Sequence, residues 1–170
     1  MFPLTYEEAR PYIEDGDIVF IHGSWKRPVQ ALIMMFTASN FSHVCIAFKM
    51  RTGTEERLMC VESQGTTRRR IVNLSFYDKR MVTVIKAPKA WEEIQGPALE
   101  RIGKAKYSMF AAAYIGTREL IYRAFNLRLP SLNLSHEICS EFVASVLGLE
   151  ETEISPQVLY EELMKISEEK

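Results

Sequence analysis

The sequence predicts an α+β domain, because its strand-like segments lie in the first half of the chain and its helical segments in the second. The chain has 170 residues, the size of one ordinary domain, and we expect a single domain over residues 1–170. Hydrophobic residues make up 47% of the sequence, about the average for a globular protein, so a core of ordinary size is available.

The first half contains β-rich runs that are separated by turn residues. A short helix at 5–10, ended by Pro11, comes before the first of these runs, and another short helix is expected at 28–36. Alternation of side chains along the run at 42–48 puts His43 and Cys45 on one face, and in the next run Cys60 and Glu62 share a face. The predicted strands are residues 18–21, 42–48, 58–63, 68–74 and 81–86.

The second half changes to the helical period. Ser135 is expected to cap the third of the helices in this half, and Gly148 is expected to end it. The segment at 155–170 has the composition of a charged amphipathic helix, which we expect as a C-terminal tail. The predicted helices are residues 90–104, 108–125, 136–147 and 155–170.

Composition excludes several classes of protein. Lys and Arg number 21 against 22 for Asp and Glu, so the basic surplus of a general nucleic-acid binder is missing. The three cysteines are an odd count, which argues against a disulfide framework and favours a reducing compartment. No signal peptide is visible and no apolar run reaches the roughly 18 residues of a membrane span. We therefore expect a cytoplasmic protein without stable membrane insertion.

Three residues of complementary chemistry lie on elements that a fold can bring together: His43 within a strand, Glu62 near the end of the next strand, and Cys139 in the first turn of a helix. A carboxylate beside an imidazole holds one tautomer and stabilises the imidazolium form. The free N–H groups and positive end of a helix favour a thiolate over a thiol. These residue types predict a nucleophile, a base and an orienting group.

Short motifs around the three residues resemble those of the circularly permuted papain-like thiol hydrolases, the YiiX-type branch of the NlpC superfamily. Members of that group carry a glycine–aspartate opening strand, a Ser-His strand, a glutamate on the following strand and a Cys-Ser-Glu helix start. The order histidine, glutamate, cysteine is the permuted one, and the resemblance covers about residues 15–147. The motifs are GDIVF at 16–20, SHVCIA at 42–47, VES at 61–63 and ICSEFV at 138–143.

The resemblance implies a permuted papain-like fold, in which an antiparallel sheet or half-barrel packs against helices. It implies Cys139 as nucleophile, His43 as general base and Glu62 as the orienting residue, with Tyr107 as a residue of the substrate pocket. The implied reaction is cleavage of an amide or ester bond through an acyl-enzyme, without a cofactor or metal. A small peptide, amide or lipid-like molecule is the implied substrate, and acyl transfer or lipid hydrolysis is the alternative within the same fold.

Two interpretations from other functional classes are also compatible with the sequence. Two pairs, His43 with Cys45 and His136 with Cys139, offer two imidazoles and two thiols for a structural zinc ion. A non-catalytic binding domain of the same fold is a further alternative. The basic cluster at 68–70 is either an exposed strand edge protected by charge or a site for an acidic group of a substrate.

Overall fold

The structure is a computed structural model, described for residues 3–24, 34, 39–63, 69–100, 102–103, 117–118, 121–122, 124–127, 138–149 and 154–168. These residues form an α+β fold with a six-stranded antiparallel sheet and four α-helices, which confirms the predicted class. The predicted helices at 28–36 and 108–125 fall largely outside the described residues, as do residues 135–137. The helix predicted at 136–147 begins at Cys139 instead, because Ile138 has an extended backbone and occupies the N-cap position that the sequence assigned to Ser135.

The strands follow the order β1-β6-β2-β3-β4-β5 across the sheet, and every neighbouring pair is antiparallel. They are β1 (Leu4–Thr5), β2 (Ile18–His22), β3 (Phe41–Thr52), β4 (Glu55–Glu62), β5 (Arg70–Asn73) and β6 (Met81–Ile85). The helices are α1 (Tyr6–Ala9), α2 (Trp91–Leu99), α3 (Cys139–Leu147) and α4 (Pro156–Glu168), with 3-10 helices at Arg10–Tyr12 and Leu74–Tyr77.

The hairpin of β3 and β4 is the longest pairing in the sheet, and its turn lies at residues 53–54. Gly53 occupies this turn with a φ of +62°, a conformation that glycine adopts without a side-chain clash. The turn fixes the register, so that Ile46 pairs with Val61 at the far end of the hairpin. That register decides which side chains of the two strands meet.

Alternation along β3 and β4 divides the core between the two faces of the sheet. The α3 face carries Val44 and Val61 and is covered by α2, α3 and α4. The α1 face carries Cys45 and Cys60 and is covered by α1 and the two 3-10 helices with the residues that follow them. The predicted division of side chains between the two faces is thereby confirmed for these residues.

A β-bulge interrupts the pairing of β2 with β3 beside His43. Ile21 pairs with His43, but His22 pairs with Phe41, so Ser42 is an extra residue on β3. Phe41 therefore lies in the core of the α3 face, although strict alternation would place it on the face of His43. A bulge bends its strand and increases the local twist, and this one lies at the start of β3.

The C-terminal helix α4 belongs to the core of the α3 face. Leu159 and Leu163 are buried there, and the Tyr160 ring packs against Phe20 and Phe41 with centroid distances of 5.5 and 5.1 Å. The helix lies within the predicted range of 155–170. Among the described residues, no helix combines the length and the apolar character that a membrane crossing requires.

Replacing Leu159 with alanine tests how much α4 contributes to stability. Leu159 is fully buried, so Leu159→Ala should lower the free energy of unfolding by about 2–5 kcal/mol, the usual cost of a cavity of this kind. The same change at Leu127, which is 57% exposed, should cost less than about 0.5 kcal/mol. Urea unfolding followed by circular dichroism measures both, and equal losses would contradict the packing of α4 described here.

Candidate active site

His43 and Glu62 meet on the α1 face of the sheet, as the sequence predicts. The pairing of Ile46 with Val61 sets Glu62 level with Cys45, and His43 lies diagonally across from it on the same face. The His43 Nε2 atom is 3.0 Å from Glu62 Oε2. Both residues are buried, and Glu62 has no exposed surface at all.

Cys139 is the first residue of α3, and its backbone N–H lies before the first hydrogen bond along this helix. Ile138 occupies the N-cap position and offers no side-chain acceptor, while the first hydrogen bond along the helix runs from the Phe142 N–H to the Ile138 carbonyl at 2.9 Å. The N–H groups of residues 139–141 therefore precede the ladder of the helix. Glu141 accepts a hydrogen bond from the Ile138 N–H at 2.9 Å and holds the helix start in place.

The Cys139 side chain contacts the His43 ring, so the structure brings the three predicted residues together. Burial by itself lowers the pKa of His43, because it disfavours the charged ring. Hydrogen bonds to Cys139 and Glu62, together with the charges of these groups, outweigh burial and raise the pKa to about 10. The ring consequently carries its proton at neutral pH. Since Glu62 engages Nε2, Nδ1 is the ring nitrogen left for the sulfur.

Glu62 is held by three side chains from three different elements. Burial raises its pKa, but hydrogen bonds from His43, Tyr77 and Arg70 outweigh this and lower the pKa to about 2. The Tyr77 hydroxyl donates to Oε2 at 2.6 Å. Arg70 donates to Oε1 from Nε at 2.8 Å and from Nη2 at 2.7 Å. Each of these three side chains donates to the carboxylate, which suits an ionised group.

The two shifted pKa values link folding to pH in opposite directions. The raised value of His43 stabilises the folded state fully below its ordinary pKa of 6.5, and this contribution is lost as the pH rises through about 10. The lowered value of Glu62 stabilises the folded state above its ordinary pKa of 4.5, and this contribution is lost as the pH falls through about 2. The pair is therefore intact across the neutral range.

Arg70 and Tyr77 are site residues that the sequence interpretation missed. Arg70 begins β5, the edge strand, where it pairs directly with Glu62. Arg69 is buried, stacks on the Phe142 ring at 4.2 Å and donates to the Pro97 carbonyl at 3.2 Å. The edge strand in this region is confirmed, but both of these arginines make contacts inside the protein. Arg68, like the predicted pocket residue Tyr107, lies outside the described residues.

Cys45, Cys60 and His22 lie outside the series of contacts from Cys139 to Glu62. Cys45 and Cys60 are fully buried on the α1 face, and the Cys45 thiol donates to the Val19 carbonyl at 3.7 Å. Burial raises the pKa of Cys45 well above its ordinary value, which keeps the thiol protonated. His22 is half-buried and its Nε2 lies 2.8 Å from Thr83 Oγ1.

The zinc alternative requires His43, Cys45, His136 and Cys139 to share one ion. Within the described parts of the chain, no group of three or more His, Cys, Asp or Glu residues is placed to hold a metal ion. Nε2 of His43 is already engaged by Glu62, and Cys45 packs in the core of the α1 face. His136 lies outside the described residues.

Comparison with known protein families gives no matching family, and a search of curated proteins gives no matching protein. The functional interpretation of this chain therefore depends on the contacts among Cys139, His43 and Glu62 and on the sequence motifs that surround them.

Removal of the Cys139 sulfur should lower the pKa of His43. The contact with Cys139 is the larger of the two hydrogen bonds that raise this pKa, so in Cys139→Ala the titration midpoint of the ring should fall toward its ordinary 6.5. NMR titration of ring carbons in protein with labelled histidine measures the midpoint.

His22 provides the internal control for this titration. Its pKa is lowered by burial alone, so its midpoint should be the same in the parent protein and in Cys139→Ala. An unchanged midpoint for His43 would show that its ring does not interact with the Cys139 sulfur.

Proposed function

We propose that this protein is a cysteine hydrolase that cleaves an amide or ester bond through an acyl-enzyme. The observation that supports the proposal most strongly is the buried series of contacts from Cys139 to His43 to Glu62. These three groups have the chemistry of a nucleophile, a base and an orienting carboxylate, in the order that such catalysis needs. A permuted papain-like fold accords with the antiparallel sheet, the helix that begins at the cysteine and the chain order His, Glu, Cys.

The proposed reaction begins with an imidazolium beside a thiolate. A pKa of about 10 for His43 means that the ring is protonated at neutral pH before a substrate arrives, and an adjacent imidazolium favours the thiolate form of a cysteine. The Cys139 sulfur then attacks the carbonyl carbon of the substrate, a C–S bond forms, and the carbonyl oxygen becomes an oxyanion. Glu62 stabilises the imidazolium throughout this step through its contact with Nε2.

The start of α3 supplies donors for the oxyanion. The backbone N–H of Cys139 precedes the hydrogen-bond ladder of the helix, and we propose that it donates to the carbonyl oxygen of a substrate whose carbon contacts the sulfur. The positive end of the helix macrodipole lies at the same place and favours the negative charge that develops there. One short segment of chain thus provides both the nucleophile and part of the oxyanion hole.

The acyl-enzyme forms when the oxyanion collapses and the bond to the leaving group breaks. His43 gives its proton to the departing amine or alcohol, and the neutral ring then removes a proton from water. The resulting hydroxide attacks the thioester, the C–S bond breaks, and the carboxylic acid leaves. An amine or alcohol in place of water would complete an acyl transfer through the same intermediate. Neither route consumes a cofactor.

Alkylation of Cys139 with iodoacetamide, read by peptide mass spectrometry across pH, tests the proposed nucleophile. An ordinary thiol has a pKa near 8.5 and reacts slowly below it. We expect rapid labelling of Cys139 at about pH 6 in the parent protein and loss of this rapid phase in His43→Ala. Cys60, which is fully buried, should be labelled only after unfolding and serves as the internal control.

Turnover of p-nitrophenyl acetate provides the second part of this test. The parent protein should carry an acetyl group on Cys139 during turnover, and Cys139→Ala should lose both the adduct and the turnover while staying folded. Cys60→Ala, a matched change at a buried cysteine outside the proposed chemistry, should keep both. Equal turnover by Cys139→Ala would reject the proposed function, and an unfolded Cys139→Ala would indicate a structural role instead.

Glu62→Gln is expected to be nearly as damaging as His43→Ala. The donors around Glu62 match a carboxylate, so an amide NH₂ can be accommodated only if His43 Nε2 becomes an acceptor. That arrangement stabilises the neutral His43 ring with its proton on Nδ1, the nitrogen that should accept the proton of the thiol. A comparable change in a serine-protease triad costs about 10⁴-fold in kcat. The measurement is the iodoacetamide rate at neutral pH; a Glu62→Gln rate close to that of the parent protein would contradict the orienting role.

A further inference from the structure

We propose that Arg70 and Tyr77 are positioning residues of this site, which keep the buried Glu62 carboxylate ionised and directed at His43. The inference rests on the proposed function, because it assigns a role to residues that act through Glu62. It adds to the three residues of the proposed reaction a supporting pair from the edge of the sheet. Both residues contact Glu62 directly, and each holds a different side of its carboxyl group.

Burial makes the support necessary. Glu62 has no exposed surface, and an ionised carboxylate is expensive to bury unless its oxygens are paired and hydrogen-bonded. His43 satisfies only Oε2. The two N–H groups of Arg70 satisfy Oε1, and the guanidinium supplies the permanent positive charge that the carboxylate needs.

The proposed reaction explains why a second cation is needed. His43 must lose its proton when the leaving group departs, and at that moment Glu62 loses the positive charge of the ring. A buried carboxylate without a counter-charge favours its own protonation, which would remove the orienting group from the cycle. Arg70 keeps its charge at every stage because a guanidinium does not deprotonate in proteins. Glu62 thus stays ionised whether His43 is charged or neutral.

Tyr77 fixes the orientation of Glu62. Its hydroxyl donates to Oε2, the same oxygen that contacts His43, at 2.6 Å. The ring of Tyr77 lies beside the His43 ring with centroids 5.9 Å apart. Burial, followed by nearby negative charges that include that of Glu62, raises the pKa of Tyr77 above its ordinary value, so the hydroxyl remains a donor. With Oε1 held by Arg70, the carboxyl group cannot rotate without breaking hydrogen bonds on both oxygens.

The local fold brings the two residues to Glu62 from one continuous segment. Arg70 is the partner of Glu62 in the β4–β5 register, and Tyr77 ends the 3-10 helix that follows β5. Among the described residues, the titratable groups that act on Glu62 include His43 and Cys45 from β3, Arg70 from β5 and Tyr77 from this helix.

A test of this inference combines Arg70→Gln, Arg70→Lys and Tyr77→Phe with two readouts. The first is the carboxyl titration of Glu62 by NMR in protein with labelled glutamate. In Arg70→Gln its midpoint should rise by about 1–3 pH units, the usual effect of an adjacent arginine. Arg70→Lys should restore much of the lower midpoint because it keeps a positive charge. Tyr77→Phe removes only a neutral donor, so its midpoint should rise by less.

The second readout is the iodoacetamide rate at Cys139, compared between about pH 3 and pH 7, because a Glu62 midpoint that starts at about 2 and rises by about 1–3 pH units lies within or at the edge of this interval. At a pH below the midpoint of Glu62, the ionised fraction of its carboxyl group falls about tenfold for each pH unit. A midpoint that has moved up therefore lowers the ionised fraction at acid pH. The rate in Arg70→Gln should therefore fall more steeply toward acid pH than the parent rate, with partial rescue in Arg70→Lys. A purely structural role would lower the rate by the same factor at both pH values.

Matched controls use the same substitutions at exposed positions. Arg57 pairs with Glu55 at 2.8 Å on the exposed part of β4, and Tyr12 is 73% exposed. Arg57→Gln and Tyr12→Phe should leave both readouts unchanged. The inference is overturned if the Glu62 midpoint stays in place in Arg70→Gln, or if the midpoint moves while the pH profile of Cys139 does not. Slow labelling of Cys139 in the parent protein itself would reject the proposed function, whereas the Glu62 midpoint would still report on the supporting pair.

Discussion

The constraint on which this site depends is the complete burial of one carboxylate, that of Glu62. A charge in this position destabilises the fold unless each of its oxygens is satisfied. The chain meets the requirement with donors from β3, β5 and the 3-10 helix after β5, so three separate elements converge on one side chain. The edge of the sheet and the interior of the site are therefore stabilised by the same contacts.

The two faces of the sheet carry different kinds of residue. The α1 face holds Cys45, Cys60 and the polar group around Glu62, whereas the α3 face is apolar and receives the helix that carries Cys139. The bulge at Ser42 lies directly beside His43, and a bulge bends its strand and increases the local twist. The irregularity in β3 therefore lies next to the residue that interacts with both Cys139 and Glu62.

The sequence predicts the α+β class, the faces of β3 and β4 and the start of a helix near Cys139, because each of these depends on local periodicity or on end signals. It does not predict the roles of Arg70 and Tyr77. Three consecutive arginines on a strand look like edge protection, and only the β4–β5 register shows that Arg70 is level with Glu62. Tyr77 lies in a short 3-10 helix without a periodic pattern, so its direction is set by tertiary packing alone.

Charges alternate along the proposed site from the start of α3 to the edge of the sheet. The positive helix end is followed by the Cys139 sulfur, the His43 ring, the Glu62 carboxylate and the Arg70 guanidinium. Groups that favour positive charge therefore alternate with groups that favour negative charge. Because both ends of this series are positive, the arrangement favours the two anionic positions within it. One of these is the proposed nucleophile, and the other is the group that holds the proposed base. Neutralising the Glu62 carboxylate would therefore weaken the preference for an anion on the Cys139 sulfur, although the two groups do not touch. The effect passes through His43, because this ring interacts with both of them.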